Sequence, residues 1–200
     1  MQTVEALNRS LFLVINGTPT SPSWLIHIAL AVANYAIWLV PVTLVGLWLT
    51  GNVRDREAAL RAFVVTMLAL GVNQLIGLVW THPRPSAMGL GYTFLPHTPD
   101  SSFPSDHFTV LSALGVTLFA GGMWWRGYTI AIIGLAVAWA RIYVGVHFPL
   151  DMIGALVVAG LSYAAIAPVW NAFGWDTTQW VVSLYRKLLA KPIVLGWLRA

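Results

Sequence analysis

Five stretches of this chain run close to or beyond twenty residues with at most one charged side chain each, and this leaves few ways for it to fold. They cover residues 24–50, 58–80, 105–125, 128–146 and 149–170. About 20 apolar residues in helical form cross the hydrocarbon core of a bilayer, and the first stretch is long enough to cross at a tilt. A charge at the membrane centre costs about 2.5–3.5 kcal/mol on the insertion scale, which accounts for how few there are. Composition agrees: 9% of the residues are charged, against about 25% in a soluble domain, so lipid must be the solvent for much of the surface. Trp24, Trp48, Trp80, Trp124, Trp125 and Trp170 fall at the ends of these stretches, at headgroup level. The expected fold class is all-α, a polytopic membrane helix bundle of about five full spans.

Residues 1–200 read as a single domain, without repeat or low-complexity tract. Within it, 1–22 forms a short interfacial helix, apolar along Val4, Leu7, Leu11, Phe12 and Ile15 and ended by Gly17, Pro19 and Pro22. Glu5 precedes any apolar run, so this segment is not expected to be a cleaved leader. At the other end, 172–200 mixes apolar residues with Arg186, Lys187, Lys191 and Arg199, and reads as an amphipathic tail on the interface.

An odd number of spans sets the chain's two ends on opposite sides. One face then holds Arg54, Arg56, Arg61, Arg126, Arg186, Lys187, Lys191 and Arg199, and the other only Arg9, Arg84 and Arg141. Eight basic residues against three make the first face cytoplasmic by the positive-inside rule. The C-terminus is then cytoplasmic, while the N-terminus and the loop 81–104 lie outside. The basic residues form no groove-like cluster with interleaved aromatics, so nucleic acid is not expected as a partner. With no cysteine in the chain, disulfides and thiolate metal sites are excluded.

Four of the five histidines gather toward the extracytoplasmic face. In "VWTHPRPSAM", Pro83 and Pro85 end the second span and stiffen the backbone around Arg84, which alone also reads as an interfacial arginine reaching for water. In "SSFPSDH", Ser102 is placed to cap, Pro104 suits a first helical turn, and the N–H groups near Ser105 and Asp106 offer an anion site, or simply an ordinary helix start. In "ARIYVGVHFPLDMIG", His147 and Asp151 stand four apart, so that a carboxylate aims one imidazole nitrogen and leaves the other basic, unless the pair only closes a helix junction. Arg141 sits six residues before His147. Two Arg, two His, an Asp and a helix N-terminus are more than three unrelated caps require.

These residues resemble the three signature motifs of the type 2 phosphatidic acid phosphatase superfamily: Arg84–Pro85, the "PSDH" of 104–107, and Arg141, His147 and Asp151 in R-x5-H-x3-D spacing. "NQLI" at 73–76, "HPRP", and Asp106 where most relatives carry Gly look like the bacitracin-resistance branch, the undecaprenyl-diphosphate phosphatases. The resemblance spans nearly the whole chain. It implies that His147 is the nucleophile forming a phosphohistidine, that Asp151 orients it, and that His107 protonates the leaving oxygen. Arg84, Arg141 and Ser105 would hold the phosphoryl oxygens, which fits a reaction that depends on charge stabilisation and positioning. The family's first motif opens with Lys seven residues before the Arg; here that position is Gly77, with His82 as a partial substitute. Asp106 reads as a favourable charge at a helix start, behind the residues that touch phosphate. His27 reads as a packed or hydrogen-bonded histidine and His97 as a loop residue outside the site. No carboxylate cluster suited to Mg²⁺ stands in the sequence, so no metal or cofactor is expected. The implied substrate is undecaprenyl diphosphate, met in the membrane lipid on the outer face of a bacterial cytoplasmic membrane.

Overall fold

A computed structural model describes residues 2–96 and 100–199, which leaves His97 outside the described residues. Its described residues are helical and contain no strand, a membrane helix bundle as the apolar stretches require. The first stretch is one span in two pieces, α2 (Ser23–Tyr35) and α3 (Leu39–Thr50), joined by a 3-10 turn at Ala36–Trp38. Pro41, in the first turn of α3, has no N–H to donate and its ring crowds the carbonyl four residues back, which the tighter turn accommodates. Helix α4 (Val53–Val79) begins at a capping box. The Asn52 side chain accepts from the Arg54 and Asp55 amides, and the Asp55 carboxylate accepts from the Asn52 amide.

Helices α5 (Asp106–Ala120), α6 (Trp124–Tyr143) and α7 (Pro149–Leu188) complete the bundle, with a short α8 (Ala190–Val194) after them. Among the described residues, Ser23–Thr50, Val53–Val79 and Pro149–Leu188 are long and apolar enough to cross a bilayer. Helix α5 has 15 residues, about 22 Å at 1.5 Å per residue, less than the roughly 30 Å core. It is short because Gly121 and Gly122 stop it at one end and the polar segment 100–105 precedes it at the other. It sits at the centre of the bundle, packed against α4, α6 and α7, so lipid meets little of it. Leu111, Leu114 and Leu118 meet Ile130 and Val137 of α6, and Ala113 meets Val65 and Ala69 of α4 and Val158 of α7.

One expectation about the ends changes. Helix α7 does not stop near 170; it continues through Pro168 to Leu188, 40 residues in all. Trp170, Gly174, Thr178, Val182 and Tyr185 form a buried stripe along it, and Tyr185 stacks edge-on to Trp48. Residues 172–188 therefore continue the helix of the last span, which at about 60 Å runs well past the roughly 30 Å core. Helix α1 (Gln2–Ile15) has the expected length, but of its apolar row only Phe12 is fully buried, while Val4, Leu7 and Leu11 face outward. Polar side chains dock it: Asn8 Oδ1 accepts from the Leu150 amide at 3.0 Å, and the Asn16 amide bridges the carbonyls of Tyr92 and Tyr143 at 2.9 Å each.

Candidate active site

Beyond α4, the prolines at 83 and 85 keep the chain extended, and segment 81–84 runs beside segment 100–103. The Ser102 amide donates to the His82 carbonyl at 2.8 Å, and the His82 amide donates to Ser101 Oγ at 3.2 Å. This pairing turns Arg84 inward, where it is almost wholly buried. Its fork is tied at three points: Nε donates to Asp100 Oδ1 (2.7 Å), Nη2 to the Ser101 carbonyl (3.2 Å) and Nη1 to the Val146 carbonyl (3.1 Å). A planar donor set tied at three points is a rigid anchor for phosphoryl oxygens.

The junction between α6 and α7 presents the imidazole. Arg141 lies in the last turn of α6, and its carbonyl accepts from the amides of Val146 and His147. Gly145 makes this tight turn possible with φ +85°, and a Cβ there would run into the Tyr92 carbonyl. Pro149 opens α7, and Asp151 in its first turn accepts from the Phe148 amide at 2.8 Å.

His147 is therefore held on one side. Nδ1 lies 2.9 Å from the Ser102 carbonyl and 3.2 Å from Asp151 Oδ2, and both are acceptors. The ring proton belongs on Nδ1, so Nε2 carries the lone pair. Nε2 points at Arg84 Nη1 (3.3 Å) and Arg141 Nη2 (3.5 Å). It opens into a cleft of about 280 Å³ whose lining includes Arg84, Arg141, His147, His107, Asp106 and Gly77. A buried imidazole nitrogen between two guanidinium groups is suited to attack on an anionic phosphorus centre.

The start of α5 departs in detail from the sequence reading. Pro104 precedes the helix, and Ser105, not Ser102, is the N-cap residue, though without a side-chain cap bond. The Ser105 amide is given to the Asp151 carbonyl at 3.3 Å, so the helix's anion-binding amides begin at Asp106. The Ser105 hydroxyl is buried and has no partner among the described residues. His107 lines the cleft one residue on.

Of the other expected contributors, Asp106 lines the cleft and His82 stands behind it. His82 is not in its lining; the ring packs edge-on to Phe148, and Nε2 lies 3.7 Å from Glu5 of α1. Burial pushes Glu5 up, but hydrogen bonds from Arg9 and Asn8 and the nearby His82 outweigh it and hold the carboxyl below its usual range. His82 thus does not stand in for the lysine absent at Gly77. On that wall the amides of Asn73 and Gln74 reach Asp106 instead, at 2.8 and 3.1 Å. Asp106 is an acceptor for α4 side chains, and the polar start of α5 is stitched to the end of α4 through it. Sequence reasoning missed Ser102 Oγ, which donates to Asp151 Oδ2 at 2.5 Å, because a serine carries no spacing signal to a residue 49 positions away. His27 lies exposed on α2, so it is not a packed histidine in this fold.

The PAP2 superfamily model matches residues 58–175, the stretch that carries Arg84, His107, Arg141, His147 and Asp151. The chain belongs to the PAP2 superfamily. As a member it is a multi-pass membrane enzyme, a phosphatase. It is 37% identical to YbjG of Escherichia coli strain K12 over 196 residues, covering 98% of this chain and 99% of that protein. It is 36% identical to the undecaprenyl-diphosphatase BcrC of Bacillus subtilis strain 168, over 93% of this chain and 97% of the relative. The fold is that of the first transmembrane PAP2 type phosphatidylglycerolphosphate phosphatase from Bacillus subtilis, with a TM-score of 0.64 at 16% identity over 86% of this chain and 88% of that one.

Proposed function

We propose that this phosphatase hydrolyses undecaprenyl diphosphate to undecaprenyl phosphate and orthophosphate through a phosphohistidine on His147. The reaction runs at the extracytoplasmic face of the cytoplasmic membrane, where it recycles the carrier lipid of cell-wall synthesis. Removing the diphosphate that bacitracin captures gives the cell resistance to it. The observation that carries the chemistry is the pointing of His147 Nε2 between Arg84 and Arg141, with Nδ1 tied back. The substrate is taken from the relatives, one of which is named for this activity over nearly its full length.

In the first step the Nε2 lone pair attacks the terminal phosphorus. The bond from that phosphorus to the bridging oxygen breaks, and undecaprenyl phosphate leaves with a proton from His107. Arg84 and Arg141 bear the charge on the transferred group, as phosphoryl transfer requires. In the second step water attacks the phosphorus, His107 takes a proton from the water, the P–N bond breaks and orthophosphate departs. The Nδ1 proton stays in place throughout, held by the Ser102 carbonyl and Asp151.

The test is phosphate release by the purified protein from undecaprenyl diphosphate, phosphatidic acid and phosphatidylglycerol phosphate in parallel, with and without excess chelator. Undecaprenyl diphosphate is expected to be hydrolysed fastest and chelator to change nothing. Faster release from either of the other lipids would move the substrate assignment to it.

A further inference from the structure

We infer that Ser102 is a positioning residue of the phosphoryl-transfer step, locking the nucleophile His147 from both its ring nitrogen and its carboxylate partner. This rests on the reading of His147 as nucleophile. Ser102 is fully buried in the segment before α5, 45 positions from His147 and 49 from Asp151. Its carbonyl stands 2.9 Å from His147 Nδ1, nearer than the carboxylate oxygen at 3.2 Å. Its hydroxyl donates to that same carboxylate oxygen, Asp151 Oδ2, at 2.5 Å. One residue thus offers an acceptor to the ring and a donor to the ring's other acceptor.

The arrangement has a mechanical consequence. Asp151 Oδ2 is held by two donors besides the imidazole, the Phe148 amide and Ser102 Oγ. The Phe148 bond belongs to the first turn of α7, the helix that carries Asp151, and constrains the carboxylate only relative to that helix. Ser102 comes from a different segment, itself fixed by its amide to the His82 carbonyl at 2.8 Å. The hydroxyl therefore ties the orienting carboxylate to the segment that is paired with the one carrying Arg84, through the Ser102 amide and the Ser101 carbonyl, and so sets the nucleophile in register with the guanidinium that receives the phosphate. Without it, Asp151 and the ring turn together, and Nε2 loses its line to phosphorus. A misplacement of about 1 Å in a reacting group costs on the order of 100-fold in rate. As Nε2 bonds to phosphorus the ring becomes cationic, and both Nδ1 acceptors strengthen at that moment, which places the effect in turnover and not in binding.

The experiment measures kcat and KM on undecaprenyl diphosphate for wild type, Ser102→Ala, Ser102→Thr, Ser102→Val, Asp151→Asn, the Ser102→Ala/Asp151→Asn pair and His147→Ala. Ser102→Ala is expected to lower kcat roughly 10- to 100-fold, the range for partners that orient a reacting ligand from behind, with KM little changed. Ser102→Thr keeps the hydroxyl and should retain most activity, whereas Ser102→Val, of the same shape, should not. Because Ser102 acts through Asp151, adding Ser102→Ala to Asp151→Asn should cost little more. A full additional loss in the double variant, a defect confined to KM, or equal activity of the Thr and Val variants would overturn the inference. The Thr/Val pair decides the matter if the alanine variant does not fold. Wild-type turnover in His147→Ala would instead defeat the nucleophile reading, a separate result from active Ser102 variants beside a dead His147→Ala.

Discussion

Arg84 and His147, 63 positions apart, meet with Nη1 3.3 Å from Nε2. The imidazole nitrogen thus faces a cation, so under the proposed mechanism the attacking atom and the phosphate anchor are positioned by a single contact. Because Arg84 is also tied to Asp100, Ser101 and Val146, its planar fork matters as much as its charge.

Arg84→Lys is accordingly expected to behave like Arg84→Ala, each losing at least ~100-fold in kcat/KM, the scale for removing one transition-state charge partner. Arg141→Ala should lose a similar factor, and His147→Ala should be inactive while remaining folded in detergent. Steady-state phosphate release from each purified variant checks this. Substantial rescue by Lys at position 84 would show that charge alone suffices.

His107 is expected to matter according to the leaving group. Cleaving a diphosphate expels a phosphate monoester, which needs little protonation, whereas phosphatidic acid expels an alkoxide and needs a general acid. His107→Ala should therefore slow hydrolysis of phosphatidic acid more than that of undecaprenyl diphosphate, by up to the ~10²–10⁴-fold range of a positioned acid. The ratio of the two rates in wild type and variant is the measurement. An unchanged ratio would assign His107 to binding phosphate oxygens.

Gly145→Ala tests the turn that presents His147. Its φ of +85° and the close Tyr92 carbonyl leave no room for a Cβ. Strain of this kind costs on the order of 1–3 kcal/mol. Thermal unfolding in detergent should fall, and activity with it, since the neighbouring Val146 carbonyl is one of the ties on Arg84. An unaltered unfolding temperature would mean that the loop 90–94 yields freely.

Sidedness is open to direct measurement. A reporter fused after Ala200 should behave as cytoplasmic, and a tag inserted near Gly91 should be accessible from outside. Reversal of both would put the cleft in the cytoplasm and end the proposed role at the outer leaflet.

Much of this was legible from residues alone. Long uncharged stretches force helices in lipid wherever they occur, so α2 to α4 and the start of α7 follow from local composition. Arg84, His107, Arg141, His147 and Asp151 stand out because charged or titratable side chains are scarce in such a chain, and their order and spacing carry the family resemblance. Helix ends were less legible. Gly121 and Gly122 shorten α5, and the stripe from Trp170 to Tyr185 lengthens α7, because partner surfaces decide where a helix continues to gain burial.

By itself the sequence determined the solvent, the fold class and the chemical types available to the cleft, since these depend on side-chain identity and local period. Only the tertiary structure decided which nitrogen of His147 is presented, that His82 turns to Glu5 and away from phosphate, that Asp106 serves the amides of Asn73 and Gln74, and that Ser102 secures Asp151. Apart from the His82–Glu5 contact, those outcomes hang on hydrogen bonds between residues 32 to 49 positions apart. Such bonds are directional and short-ranged, so they exist only once the helices have set the segments side by side.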